Sequence, residues 1–151
     1  MFETFATYVG KKKGPNRFWH VDESAIAEAE TRLGMKFPAA LRAFFSKVGS
    51  GFWAKGTADS AWDRSLVNRI PSPRQIADLY CNKDDPWRPN EGFGEGAIPF
   101  FDVGENTYFV VIPKMKSSGA VYWPDGKQVV TDSLDEFFSE LEMHAGFYRQ
   151  S

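Results

Sequence analysis

Residues 22–53 read DESAIAEAETRLGMKFPAALRAFFSKVGSGFW, and this stretch decides the fold. It predicts two short amphipathic helices joined by a Gly-x-x-Phe-Pro corner, then a glycine turn into an aromatic strand. Asp22 stands where a helix N-cap is wanted, with Val21 and Ile26 at the two positions of a hydrophobic staple. Ile26, Ala29 and Leu33 share one helical face. Gly34 is a stop signal. Phe37 precedes a proline and is pushed towards extended backbone, and Pro38 suits the first position of the next helix. Leu41, Phe44, Phe45 and Val48 then form a wide apolar stripe. Neither helix is long enough to stand alone in water, so both must pack on something.

The bulk numbers restrict what that something serves. A chain of 151 residues with 42% hydrophobic and 25% charged residues suits a single domain, residues 1–151, with a real core. The net charge of −2 favours neither nucleic acid nor an anionic membrane as partner. Cys81 is the one cysteine, which excludes an internal disulfide and suits a reducing cytoplasm. No stretch approaches the ~20 apolar residues of a membrane span, and the N-terminal residues lack the order of a secretory signal. Aromatic residues are 16% of the chain, with five Trp. That is many for one small core, and Trp and Tyr concentrate where proteins grip other proteins.

Around the central stretch, Phe2, Phe5, Tyr8 and Val9 have helical spacing, ended by Gly10. Lys11, Lys12 and Lys13 are a weak footprint for an anion and read as a solvated loop. Phe18, Trp19 and His20 read as an extended lead-in. Residues 55–69 form an irregular excursion carrying Trp62, Asp63 and Arg64; Trp62 is either a binding anchor or a ring folded back on the core. Ser72-Pro73-Arg74-Gln75 is a capping box opening a helix with Ile76, Leu79 and Tyr80. Residues 82–97 are a long Pro- and Gly-rich loop expected to expose Asp84, Asp85, Trp87, Arg88 and Glu91, and loops of that length are often functional. Gly92-x-Gly94-x-x-Ala97 loosely matches a dinucleotide fingerprint, but it follows two prolines rather than a buried strand and opens no helix.

Residues 98–131 carry the strands. IPFFD, TYFVVIP, AVYW and QVVT are separated by turn signals at residues 103–106, 114–118 and 124–126, which favours antiparallel hairpins. Ser133-Leu134-Asp135-Glu136 is a second capping box, and Leu134, Phe137, Phe138, Leu141 and Ala145 share the face of a last helix. The expected fold is α+β: an antiparallel meander of about four or five strands packed by N-terminal helices and a C-terminal helix.

The run Glu30-x-x-Leu33-Gly34-x-x-Phe37-Pro38-x-x-Leu41-Arg42-x-Phe44-Phe45, followed by Gly49-Ser50-Gly51, resembles the N-terminal signature of the SUKH superfamily. These are the Smi/Knr-type domains of fungal cell-wall regulators and many bacterial immunity proteins. Ile98-Pro99-Phe100, Tyr108-Phe109-Val110, Gly119 to Trp123 and Asp132-Ser133-x-x-Glu136-Phe137-Phe138 resemble the C-terminal half in the same order, so the likeness covers roughly residues 21–142. One departure is at Glu105-Asn106-Thr107, where members often carry a glycine-rich turn with an Asp; no role of that Asp carries over.

The resemblance implies a non-catalytic module that binds a cognate toxin domain, such as a nuclease, or otherwise a housekeeping regulatory scaffold. The expected contacts are Trp62, Asp63, Arg64, Asp84, Asp85, Trp87 and Arg88: Trp and Arg as anchors, carboxylates to complement a basic surface. No metal or cofactor is expected. His20 and His144 stand in different elements without ligand-spaced neighbours, and Cys81 has no base partner in sequence and reads as a partly buried cysteine.

Overall fold

A computed structural model describes residues 2–54, 67–87, 96–113, 119–125 and 128–149. Its helices are α1 (Glu3–Ala6), α2 (Glu23–Leu33), α3 (Ala39–Lys47), α4 (Pro73–Cys81) and α5 (Leu134–Met143), with a closing 3-10 turn at Phe147–Arg149. Its strands are β1 (Arg17–Trp19), β2 (Ser50–Phe52), β3 (Arg69–Ile70), β4 (Ile98–Gly104), β5 (Thr107–Val111), β6 (Val121–Tyr122) and β7 (Val129–Thr131). All seven strands form one sheet in chain order, and every pairing is antiparallel. The α+β meander expected from the sequence is present and runs to seven strands. The additional ones are two or three residues long, too short to show alternation.

The corner between α2 and α3 forms as read. Gly34 closes α2 at φ 74°, its N–H donating to the Glu30 carbonyl at 3.0 Å. Glu30 then holds the corner with its side chain. One carboxylate oxygen accepts from the Phe37 N–H at 2.8 Å, and the other lies 3.4 Å from Arg42 Nε on α3. Asp22 occupies the N-cap of α2 but makes no side-chain cap; its carboxylate lies 3.2 Å from His20 Nε2 instead. The staple is in place, with Val21 and Ile26 buried. At Ser72 both halves of the capping box form, at 3.2 and 2.8 Å. At Ser133 one half does: its Oγ accepts from Glu136 N–H, while the Glu136 carboxylate reaches Asp132 N–H.

Gly49 and Gly51 are dictated by close approach. A Cβ on Gly49 would lie 1.9 Å from the Trp19 carbonyl oxygen, and one on Gly51 would lie 2.1 Å from that of Arg17. Gly49 also has φ 123°, where only glycine is unstrained. The backbones of β1 and β2 therefore touch without side chains between them. On the other side of β1, Phe18 exchanges backbone bonds with Tyr8 and Gly10, so this sheet edge is covered by the chain's own N-terminal segment.

One face of the sheet packs into the main core. Phe18, Ile70, Phe101, Phe109 and Val121 meet the buried residues of α1, α2, α3 and α5 there. The rings interlock: Phe44 stacks on Phe138 at 4.7 Å, and Phe5 meets Trp53 at 4.5 Å. Such pairs contribute about 0.5–1.5 kcal/mol each beyond their burial. Trp53 donates its indole N–H to the Leu141 carbonyl at 2.6 Å, tying β2 to α5. Asn68, 1% exposed and at φ 46°, does the same for β3. Its amide donates to the Ala145 carbonyl at 2.8 Å and its side-chain oxygen accepts from the Tyr148 hydroxyl.

A bulge at Phe100 shapes the opposite face. Pro99 pairs with Val110 and Phe101 with Phe109, so Phe100 is the extra residue. Both Phe100 and Phe101 then contact Phe137, each at 5.2 Å. Simple alternation would send one of them outward. The inserted residue resets the phase, and Asp102 points away from the core beside Tyr108. The following hairpin turns on Glu105 and Asn106, at φ 54° and 59°, with Gly104 facing Thr107. Two left-handed residues in a two-residue loop match the twist of the flanking strands.

Candidate protein-binding face

The register places five side chains in one row across the outer face of the sheet. Arg17 pairs with Phe52, Phe52 with Arg69, Arg69 with Asp102, and Asp102 with Tyr108. The row continues from β1 to β5 without a gap. Arg69 sits at its centre, Nη2 donating to Asp102 at 3.0 Å and to the Tyr108 hydroxyl at 3.3 Å. The second Asp102 oxygen accepts from Gly104 N–H at 2.8 Å. Burial first, and the Asp102 charge second, hold the Tyr108 hydroxyl above the ordinary phenol range, so it stays a donor at neutral pH.

At the β1 end the row is aromatic and cationic. The Arg17 guanidinium carbon stands 5.2 Å from the Phe52 ring centre and 5.6 Å from that of Trp19, and the two rings meet edge-on at 6.1 Å. Trp19 is 50% exposed. Beside it an open groove of about 420 Å³ runs between Trp19, Phe52, Arg69 and Gln75. Two donors in this row are buried and unpartnered among the described residues: Arg17 Nε and Arg69 Nε. Buried unpaired donors are rare in native proteins and cost about 1–3 kcal/mol each.

The other half of the outer face is covered from within. Trp87 packs with Ala97, Tyr108, Val110 and Ile112. Its indole N–H donates to the Leu79 carbonyl at 2.9 Å, and its backbone N–H to the Asp85 carboxylate at 3.1 Å. The exposed Trp87 expected from the sequence is therefore corrected: the ring is 4% exposed. The reason is the alternation of β5, which leaves Tyr108, Val110 and Ile112 outward and in need of cover. Asp84 is exposed and Asp85 half-buried. Trp62, Asp63, Arg64, Arg88 and Glu91 lie outside the described residues. Of the expected contact set, the described residues therefore hold Asp84, Asp85 and Trp87. The residues the structure does assemble are Arg17, Trp19, Phe52 and Arg69. Their available signal was the alternation Arg17-Phe18-Trp19, in which a buried Phe implies outward neighbours.

Candidate reactive groups have local partners. His144 Nδ1 accepts from Gly146 N–H at 3.0 Å, and His20 faces Asp22. Cys81 is exposed rather than partly buried, because α4 ends there, and its thiol points at the Arg32 carbonyl at 3.7 Å. Among the described residues, no three His, Cys, Asp or Glu side chains gather to hold a metal ion. No helix among them is long and apolar enough to cross a membrane.

The model of the SMI1/KNR4 family (SUKH-1) matches residues 20–140. The chain belongs to the SMI1/KNR4 family. That span begins just after Trp19, takes in both helices of the corner and the strands β2 to β7, and ends within α5. A similar curated protein is immunity protein YxxD of Bacillus subtilis (strain 168), 28% identical over 143 residues that cover 91% of each chain. The SUKH resemblance seen in the sequence is thereby established.

Proposed function

We propose that this chain is an immunity protein that neutralises a bacterial toxin domain by binding it, with no bond made or broken. The observation that carries the proposal is the half-exposed Trp19 with Arg17 stacked against it on the outer face of the sheet. Trp and Arg are common binding hot spots, and Trp19 and Arg17 supply both side by side. Membership of the SMI1/KNR4 family and the likeness to a protein named as an immunity protein support the same reading. The local partners of His144, His20 and Cys81 fit structural roles for those groups. A nuclease is the proposed class of toxin, since Asp84 and Asp85 offer carboxylates to a basic surface. Asp63, Arg64, Trp62 and Arg88 are proposed as further contacts, whereas the buried Trp87 serves by holding the loop bearing Asp85.

The test is to look for a toxin-like C-terminal domain in the reading frames adjacent to this chain's gene and to co-express it with this chain. The expected result is rescue of growth and co-purification of the two chains. Loss of rescue together with no co-purification would overturn the proposal.

A further inference from the structure

We infer that the face formed by Arg17, Trp19, Phe52 and Arg69 seats an acidic segment of the protein partner; this deepens the immunity reading and rests on it. Charge and unpaired donors both point that way. The chain is net negative, yet this row holds two arginines and a single carboxylate, Asp102, which is already engaged by Arg69 and Gly104. Arg17 has no hydrogen-bond or ion-pair partner among the described residues; it has only the two rings. Both arginines keep a buried Nε–H without an acceptor. Lys11, Lys12 and Lys13, all exposed, stand on the loop that leads into β1 and add positive charge at the same end of the sheet.

A guanidinium pinned over aromatic rings is preorganised. Its donor fork is fixed in direction before any partner arrives, so less side-chain entropy is lost on binding. The chemistry it fits is a carboxylate, which accepts two parallel N–H bonds from such a fork. A Glu or Asp side chain reaching Arg17 would lay its carbon stem on Trp19. Its neighbours in the segment would enter the groove, whose lining includes Arg69. The backbone of β1 is already paired on both sides, so the contact is made through side chains rather than by adding a strand.

The experiment uses the full chain and a fluorescein-labelled oligoglutamate peptide, with oligolysine as the comparison, read by fluorescence anisotropy. Oligoglutamate binds the wild type, and oligolysine does not. Arg17→Ala and Trp19→Ala each weaken binding about tenfold or more, equivalent to about 1.4 kcal/mol. Arg17→Lys falls between, because it keeps the charge and loses the fork. Met143→Ala, an exposed site on α5, leaves binding unchanged. Unchanged melting temperatures establish that the variants fold. Absence of oligoglutamate binding, or equal binding by Arg17→Ala, would overturn the inference. In cells, the Arg17→Ala/Trp19→Ala pair fails to protect against the toxin that the wild type neutralises. Full protection by that pair would sink this surface while leaving the immunity reading intact. Failure of the wild type itself to protect would sink the immunity reading, and the peptide result would then decide the surface alone.

Discussion

Replacing Glu30 by Ala should cost this fold about 2–3 kcal/mol, most of it from one backbone N–H. The Glu30 side chain is 10% exposed, and its carboxylate accepts from Phe37 N–H at 2.8 Å. Phe37 is itself buried, and Pro38 beside it has no N–H to share. Truncation leaves the Phe37 donor buried without its acceptor, a loss of about 1–3 kcal/mol, towards the upper end because the acceptor is charged. The second contact, to Arg42 at 3.4 Å, adds little: Arg42 is 42% exposed and Glu23 lies 3.9 Å away as an alternative. Such pairs are worth about 0–1 kcal/mol. The better helix propensity of Ala returns less than about 0.5 kcal/mol. The assay is urea unfolding followed by Trp fluorescence and far-UV circular dichroism, with the slope checked for constancy. For a chain of this size the melting temperature should fall by roughly 4–12 °C. Glu30→Gln, which keeps an acceptor but no charge, should lose about half as much, and Arg42→Ala less than about 1 kcal/mol. If Arg42→Ala proved as damaging as Glu30→Ala, the ion pair would outweigh the backbone hydrogen bond and the reasoning would be wrong.

Three further outcomes test other joints of the fold. Gly51→Ala should destabilise by about 3 kcal/mol or more, seen as insolubility or a collapsed melting temperature, because its Cβ would meet the Arg17 carbonyl oxygen, a backbone atom that cannot swing aside. Asn68→Ala should lower the unfolding free energy by about 2–3 kcal/mol, since the Ala145 carbonyl and the Tyr148 hydroxyl both lose a buried partner; a loss under about 0.5 kcal/mol would mean that water replaces the side chain. Glu105→Asn should raise stability by about 0.5 kcal/mol, because Asn tolerates the left-handed φ of 54° better than Glu, and a lower denaturation midpoint would contradict the turn assignment.

The helical corner was legible because each of its devices is local. A cap, a stop glycine, an X-Pro step and a stripe at helical spacing can all be read within a dozen residues. The strands from β4 onwards were legible for a similar reason, since aromatic and β-branched runs of four or more residues announce themselves. The aromatic strand β2 was announced by its glycine turn, but β1 read only as an extended lead-in and β3 not at all, because Arg17–Trp19 and Arg69–Ile70 are too short for a period to appear. Asp102 could not be placed by counting either, since the bulge at Phe100 reverses the phase of the strand. Trp87 misled for another reason. Flanked by Pro86 and Arg88 in a polar loop, it reads as exposed, and its burial follows only from the outward side chains of β5, distant in sequence. The candidate row is the extreme case: Arg17, Phe52, Arg69, Asp102 and Tyr108 come from five strands and become neighbours only through register.

On the proposed reading, the same short strands serve the fold with one side and a partner with the other. Phe18, Gly51 and Ile70 form the inward row of β1, β2 and β3, and that row is tightly constrained: two of its members are fully buried, and the glycine admits no Cβ. The family-bearing residues Glu30, Gly34, Phe37, Leu41, Phe44, Gly49 and Gly51 belong to the same constrained set. Arg17, Trp19, Phe52 and Arg69 alternate with that inward row and face the other way, so exchanging them changes what the face recognises without reopening the core. This division explains why a motif can reveal the family while saying nothing of the target. The motif records the helical corner and the inward side of the strands, and the proposed recognition row lies on the other side.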